Sequence, residues 1–529
     1  MSRSSFAKVA AVGGVLCASL LAGVSAQAAS FKFAGPLDAY TLDPHAVSNT
    51  LIFAILSNVY EPLVRRGADL KIEPALATSW KQIDDGWRFE LRKGVKFADG
   101  SDFNADDVVF SFNRAKAGGV KSNLATIASA VKVDDYTVDL KTTGIDPIVP
   151  FEIVNWFIMD KEWSEKNNTV QPGSADNKTE TFANRNVNGT GPYRIASRDP
   201  GVKIEFEKNP TWWDKLTGNV DKATFFVIPN NATRVSALIS GEVDMIDSLP
   251  AQDTQRVAAD PNLKVQAGPD LRTVYIQPDV ARDELQFSDV KGKNPFKDIR
   301  VRQAMQLAID IEGIKQKVMR GYSVPVGLPI AKEVNGFDPV LGEPTKPDVD
   351  KAKALMAEAG YKDGFAVTLD CTNDRFMGDE ATCLAIAQSL ARINIKVEPR
   401  AQTTGKWAQQ INPPGYNTSL AMLGYSPSTY DAHLFLSSIV ATRDPKSGRG
   451  TFNIGGFSDE KLDDLITKIQ NEKDPTARNA LLKQAMTRLK ETAGFIPLHQ
   501  LNILWGVKKN VDVVQPADLG FPLRYYVVK

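Results

Sequence analysis

An α/β protein of two or three domains is what the sequence predicts, and three observations carry that reading. Residues 350–425 alternate helical and strand periodicity, residues 72–115 carry a dense strand, turn and helix pattern, and the chain is long and apolar enough for several cores. At 529 residues and 43% hydrophobic, it exceeds the roughly 100–200 residues of one domain.

The chain opens with Arg3 and Lys8, an apolar run from Val9 to Val24, and Ala26-Gln27-Ala28. A basic start, a short apolar block and a small-x-small site make a secretory signal, with cleavage expected after Ala28. The run is short for a membrane span, which needs about 20 apolar residues. Cys17 is preceded by Leu16 rather than by the small residue a lipoprotein site wants.

In residues 72–115, Trp87, Phe89 and Leu91 alternate as one face of a strand, Asp99-Gly100 makes a turn, and Ala105 to Asn113 reads as a helix entered through Asn104. The pattern is a compact α+β module without evident chemistry. Farther on, Ile299, Ala304, Met305, Ala308, Ile309 and Val318 fall near one helical stripe, with Asp298 as N-cap and Gly321 as the stop. Asp474 and Pro475 open another helix, and Gly494 closes it.

Asp350 opens a helix that ends at Gly360. "FAVTLDC" alternates as a strand, Ala381 to Arg392 is helical, "INIKVEP" is a strand, "TGKWAQQI" a short helix and "TSLAMLGY" a third strand. A βαβαβ order implies parallel strands with right-handed crossovers, and ligands collect beyond the carboxyl ends of such strands. "TNDRF", with Arg375, and "GYSPS", residues 424–428, follow two of those ends and are expected to share a rim.

Lys and Arg number 63, as do Asp and Glu, so no bulk field attracts nucleic acid or an anionic membrane. Once the signal takes Cys17, Cys371 and Cys383 remain. In an oxidising compartment an even pair reads as a disulfide, worth about 3 kcal/mol for a short loop; a metal pair is the alternative, weakened because no histidine lies near. His45, His433 and His499 show no metal-ligand spacing, and no cofactor is expected.

"YEPLVR", "EPALATSW", "WRFELRKGVKFADGSDFNADDVVFSF", "NGTGPYRI", "DIRVRQAMQLAID" and "NIGGFSDEKLDDLI" follow one another over essentially the whole mature chain. In these ordered motifs the sequence resembles the extracellular solute-binding proteins of ABC importers, family 5, the dipeptide, oligopeptide and nickel group. The resemblance implies an α/β, two-lobed periplasmic binding protein fold (type II, cluster C) with an additional α+β domain on the first lobe. The expected division is a signal peptide over 1–28, lobe one over 29–57, 188–272 and 502–529, the extra domain over 58–187, and lobe two over 273–501. It also implies a monomeric periplasmic receptor that closes on a small solute or short peptide and docks on a membrane permease.

By the same resemblance Arg375 stands where dipeptide-binding relatives place an arginine against the ligand carboxylate, a group its planar fork suits. Those relatives put an aspartate against the peptide α-ammonium where this chain has Ser428. Either Asp431 takes that role, or the ligand is not a free-amino-terminal peptide. Tyr425 and Trp407 can offer flat apolar surface, with packing on the sheet as the other reading of Trp407. Backbone groups of Leu423, Gly424 and Tyr425 can bond a ligand as an added strand would. Ser426 lines the same segment, Ser48-Asn49-Thr50 is expected across the cleft, and Tyr275 reads as structural.

One rival is an exported hydrolase using Ser426 or Ser428 with His433 and Asp431. Pro427 and Ser428 oppose it, because they replace the small residue that a nucleophile elbow needs. Another is a chaperone or adhesion module that holds extended segments.

Overall fold

A computed structural model describes residues 29–174 and 179–529; the predicted signal segment lies outside them. Among the described residues, one eleven-stranded sheet runs through the molecule. Its order is Ile395–Gln402, Phe365–Thr372, Leu420–Tyr425, Leu263–Pro278, Ile496–Lys508, Met245–Ile246, Ala29–Gly35, Val220–Val227, Lys203–Lys208 and Tyr193–Asp199, with Ser323–Pro325 paired to Ile496–Lys508. Leu263–Pro278 and Ile496–Lys508 are long enough to belong to both halves, and they form the passage between two lobes.

Their pairing is interrupted at one place. Pro269 faces Asn502 and Thr273 faces Gln500, so Asp270, Leu271 and Arg272 stand opposite Leu501 alone. Such a bulge bends a strand and breaks its ladder locally. Gln500 Nε2 fixes this one by donating to Asp270 O at 2.8 Å and to Glu333 Oε2 at 2.7 Å.

The βαβαβ segment folds as its periodicity predicts. Phe365–Thr372 pairs parallel with Ile395–Gln402 and, at Asp370–Ala421, with Leu420–Tyr425. Helices Asp379–Ala391 and Thr404–Ile411 are the crossovers. On the other lobe, Ala77–Ile83, Gly86–Leu91, Thr137–Thr142 and Ile127–Asp134 make a separate four-stranded antiparallel sheet. Phe89 and Leu91 are buried as expected, whereas Trp87 is half-buried. Asn104 caps the helix Ala105–Ala117, which runs one turn beyond Asn113. From that helix Arg114 donates to both oxygens of Asp43 at 2.6 and 2.7 Å, tying the module to the start of the chain.

Other expectations are corrected. The single stripe over 299–318 is two helices, Ile299–Ala308 and Ile311–Lys317, because Asp310 accepts from Gly313 N–H and caps a new helix where the first ends. The helix placed at Asp350 is capped by Asp348 instead. At the end of Pro475–Thr492 the left-handed residue is Ala493, one position before Gly494.

Candidate functional site

Arg375 lies in the loop that leaves Phe365–Thr372, and several short contacts fix this loop. Asp379 Oδ2 accepts from Arg375 N–H at 3.1 Å and from Thr372 Oγ1 at 2.8 Å. Asp374 Oδ1 accepts from Thr404 N–H and Oγ1 at 2.7 and 2.6 Å. A Cys371–Cys383 disulfide joins the end of the strand to the following helix. The Arg375 residue is exposed as a whole, but its guanidinium head is enclosed: Nη2 donates to Gly424 O at 3.4 Å and the head sits 5.1 Å from the Trp407 ring. Burial of the head, and then the positive charge of Arg272, pull its pKa down.

The expected rim therefore exists, with "TNDRF" against "GYSPS". Leu423, Gly424 and Tyr425 pair with Tyr275, Val274 and Thr273 on one side. On the other side the facing strand pairs only at Asp370–Ala421, and beyond it the Arg375 loop meets the edge. Gly424 is closely packed there: a Cβ would come within 3.1 Å of the Phe376 ring and 3.2 Å of Arg272 Cδ. Trp407 is buried, and its Nε1 has no acceptor among the described residues. Tyr425 is half-buried; its hydroxyl lies 3.4 Å from Ser438 Oγ. Tyr275 is buried and packs edge-on against Phe435 at 5.9 Å.

Asp431 sits differently from the role the resemblance offered it. Its carboxylate accepts from Arg478 Nη1 and Nη2 at 2.7 and 2.8 Å, from Asn335 Nδ2 at 2.8 Å and from His433 N–H at 2.9 Å. Burial alone would raise its pKa, but the Arg478 pair outweighs burial and holds it below the ordinary aspartate value. Ser428 is exposed and Ser426 half-buried. The hydrolase arrangement is not assembled, since Asp431 bonds the backbone of His433 rather than its ring, and the His433 Nε2 has no partner among the described residues.

Ser48, Asn49 and Thr50 are part of the other lobe's surface. Asn49 Oδ1 accepts from Leu51 and Ile52 N–H, so it caps the helix Thr50–Leu56, and Ser48 Oγ lies 3.3 Å from Asn123 Oδ1. Tyr430 makes one contact across to the first half of the chain: its ring lies 3.4 Å from the Arg66 guanidinium, and it shares an apolar cluster with Leu70 and Ala517; Met377, beside the Arg375 loop, packs against another that includes Ala34 and Val235. A pocket of about 110 Å³ lies beside the Tyr430 contact, lined in part by Tyr60, Arg66, Tyr430, Asp518 and Arg524. It contains neither Arg375 nor Gly424.

Two residues at this rim escaped the sequence reading. Arg272 and Asp270 come from the strand bulge at 270–272, and their only sequence signal is a pair of opposite charges just before the apolar alternation of "TVYIQ". Among the described residues no cluster of three His, Cys, Asp or Glu side chains could hold a metal ion, and no helix is long and apolar enough to cross a membrane.

The model for bacterial extracellular solute-binding proteins, family 5 middle, matches residues 71–447. The glutathione-binding protein GsiB of Shigella boydii serotype 4 is 26% identical over 496 residues, 91% of each chain. Among solved structures, the periplasmic murein tripeptide binding protein MppA in its unliganded open form is 21% identical and superposes with a TM-score of 0.79, covering 95% of this chain and 98% of that one. The dipeptide binding protein of Pseudoalteromonas sp. SM9913 in complex with Met-Leu is also 21% identical, covers 95% of this chain and 100% of its own, and superposes at 0.66.

Proposed function

We propose that this chain, which belongs to the bacterial extracellular solute-binding proteins of family 5, is the periplasmic receptor of an ABC importer for a small carboxylate-bearing solute or short peptide. One observation carries the reading: among the described residues the Arg375 guanidinium has no carboxylate partner, at the shared rim of two parallel strands and beside the bulge at 270–272, which this reading takes as the hinge. A planar fork so placed suits a carboxylate that arrives with the ligand. Closing the lobes would bury it and present one surface to the permease.

A peptide α-ammonium has less support. Ser428 is neutral, and Asp431 would have to give up Arg478, leaving a buried cation unpaired at a cost of several kcal/mol. The glutathione named for the Shigella relative favours an acidic, peptide-like solute. In this reading the signal peptide ends at residue 28, and the protein acts as a periplasmic monomer. Lobe one comprises 29–57, 188–272 and 502–529, the extra domain 58–187, and lobe two 273–501; the hinge bulge at 270–272 supports the passage near 272.

Native mass spectrometry of the protein released from the periplasm tests the proposal. The bound solute is expected to carry a carboxylate, and Arg375→Gln is expected to lower its affinity about 30- to 100-fold, the loss of a charge-assisted hydrogen bond worth roughly 2–3 kcal/mol. A bound solute without an acidic group, or unchanged binding by Arg375→Gln, would overturn it.

A further inference from the structure

Arg272 and Arg375 reach Gly424 from different elements, the first from the hinge bulge and the second from the loop after Phe365–Thr372. A Cβ on Gly424 would lie 3.2 Å from Arg272 Cδ, and Gly424 O lies 3.4 Å from Arg375 Nη2. Neither guanidinium hydrogen-bonds a carboxylate among the described residues. Arg375 has the Gly424 carbonyl, and the nearest acid to Arg272, Asp270, is 3.8 Å away. Burial raises the Asp270 pKa, and the charge and backbone N–H of Arg272 oppose that rise.

Two cations at one glycine repel each other, and the repulsion is relieved when negative charge enters between them. A single carboxylate engages one guanidinium fork with both of its oxygens. The second fork then calls for a second negative charge.

We infer that the site selects a ligand carrying two negative charges, engaged by Arg375 and Arg272, and that Arg272 determines this preference. This rests on the reading above that Arg375 faces the ligand. A dicarboxylate supplies the two charges on separate groups; a phosphate supplies them on one. Because Arg272 is in the hinge bulge, the ligand's second charge binds at the pivot itself. Relief of repulsion there depends on the ligand and so couples its charge to lobe closure.

Isothermal titration of the mature chain tests this with four probes: reduced glutathione, its glycine amide with one carboxylate fewer, glutarate and inorganic phosphate. Wild type is expected to bind glutathione or glutarate at least tenfold more tightly than the amide. Arg272→Gln is expected to erase that preference while leaving amide binding within about threefold, and Arg272→Lys to restore part of it. Competition by phosphate would put both guanidiniums on one group, and its absence would put them on two; either outcome supports two negative charges on the ligand. If Arg272→Gln weakens diacid and amide equally, or neither, while Arg375→Gln abolishes binding, the inference fails and the carboxylate reading stands. If Arg375→Gln changes nothing, the carboxylate reading itself fails. Should Arg272→Gln not fold, as circular dichroism reports, a wild-type preference below tenfold overturns the inference. If no probe binds wild type, the solute identified by native mass spectrometry decides, and fewer than two negative charges on it overturns the inference.

Discussion

Asp431 receives four hydrogen bonds on its two carboxylate oxygens, and the strongest claim on it is the Arg478 fork. Both side chains are buried, at 0% and 5% exposure, so removing one leaves the other as an uncompensated charge. Asp431→Ala is therefore expected to destabilise the protein by about 3–5 kcal/mol, read as a shifted urea midpoint, while the folded fraction keeps its ligand affinity within about threefold. Normal stability with lost binding would make Asp431 a ligand anchor after all. Glu152 gives a pH signature at the same scale. Burial, then the neighbouring charge of Asp146, pushes its pKa up to about 8, with Thr126 Oγ1 donating to it and Asp431 adding negative charge. The folded state then holds a proton that the unfolded chain releases above about pH 4.5, so this group's contribution to stability falls as pH rises from there to about 8. Glu152→Gln removes the penalty, and its melting temperature is expected to exceed that of wild type at pH 8.5, with a much smaller gap at pH 5. An equal gap at both values would show that Glu152 is not protonated in the folded protein.

Between residues 365 and 425 the elements are legible in the sequence because each is amphipathic on its own and bounded by ordinary stop signals. The parallel arrangement follows from their order, and so does the meeting of Arg375 with Gly424. Over 299–318 the same reasoning fails: the apolar stripe continues across Ile309, but Asp310 satisfies Gly313 N–H and starts a second helix. Side-chain periodicity does not register a break in the backbone when the same face stays buried. The Arg375 loop inherits its rigidity from its element, through Asp379, Asp374 and the Cys371–Cys383 bond. Replacing both cysteines by serine is expected to cost about 3 kcal/mol of stability, the chain-entropy value for a short loop, and to speed amide exchange at 373–378. Weaker ligand binding should accompany it, because a looser loop loses more freedom on ordering around a ligand. Faster unfolding with unchanged exchange in that loop would confine the bond's role to stability.

At the scale of the whole molecule, the bulge proposed as the hinge was hidden because it is made by strands about 230 residues apart. No local pattern in "DLR" tells that these residues face Leu501 alone, and for the same reason the sequence reading passed over Arg272. Tyr430, held between Arg66 and the Asp518 segment, keeps the lobes in touch beside the pivot, so closure is expected to rotate the outer rims more than the hinge side. A ligand can drive that rotation only through interactions stronger in the closed state than in the open one, and the unpaired guanidinium of Arg375 supplies one. Small-angle scattering is expected to show a radius of gyration of about 24 Å for a compact chain of this length, falling by a few per cent when the cleft is saturated. In Arg375→Gln, brought to the same occupancy by a higher ligand concentration, the contraction should be smaller, because the interaction that favours closure is gone. An equal contraction in both would place the driving contacts elsewhere on the rim, and no contraction in wild type would mean that binding does not close the lobes.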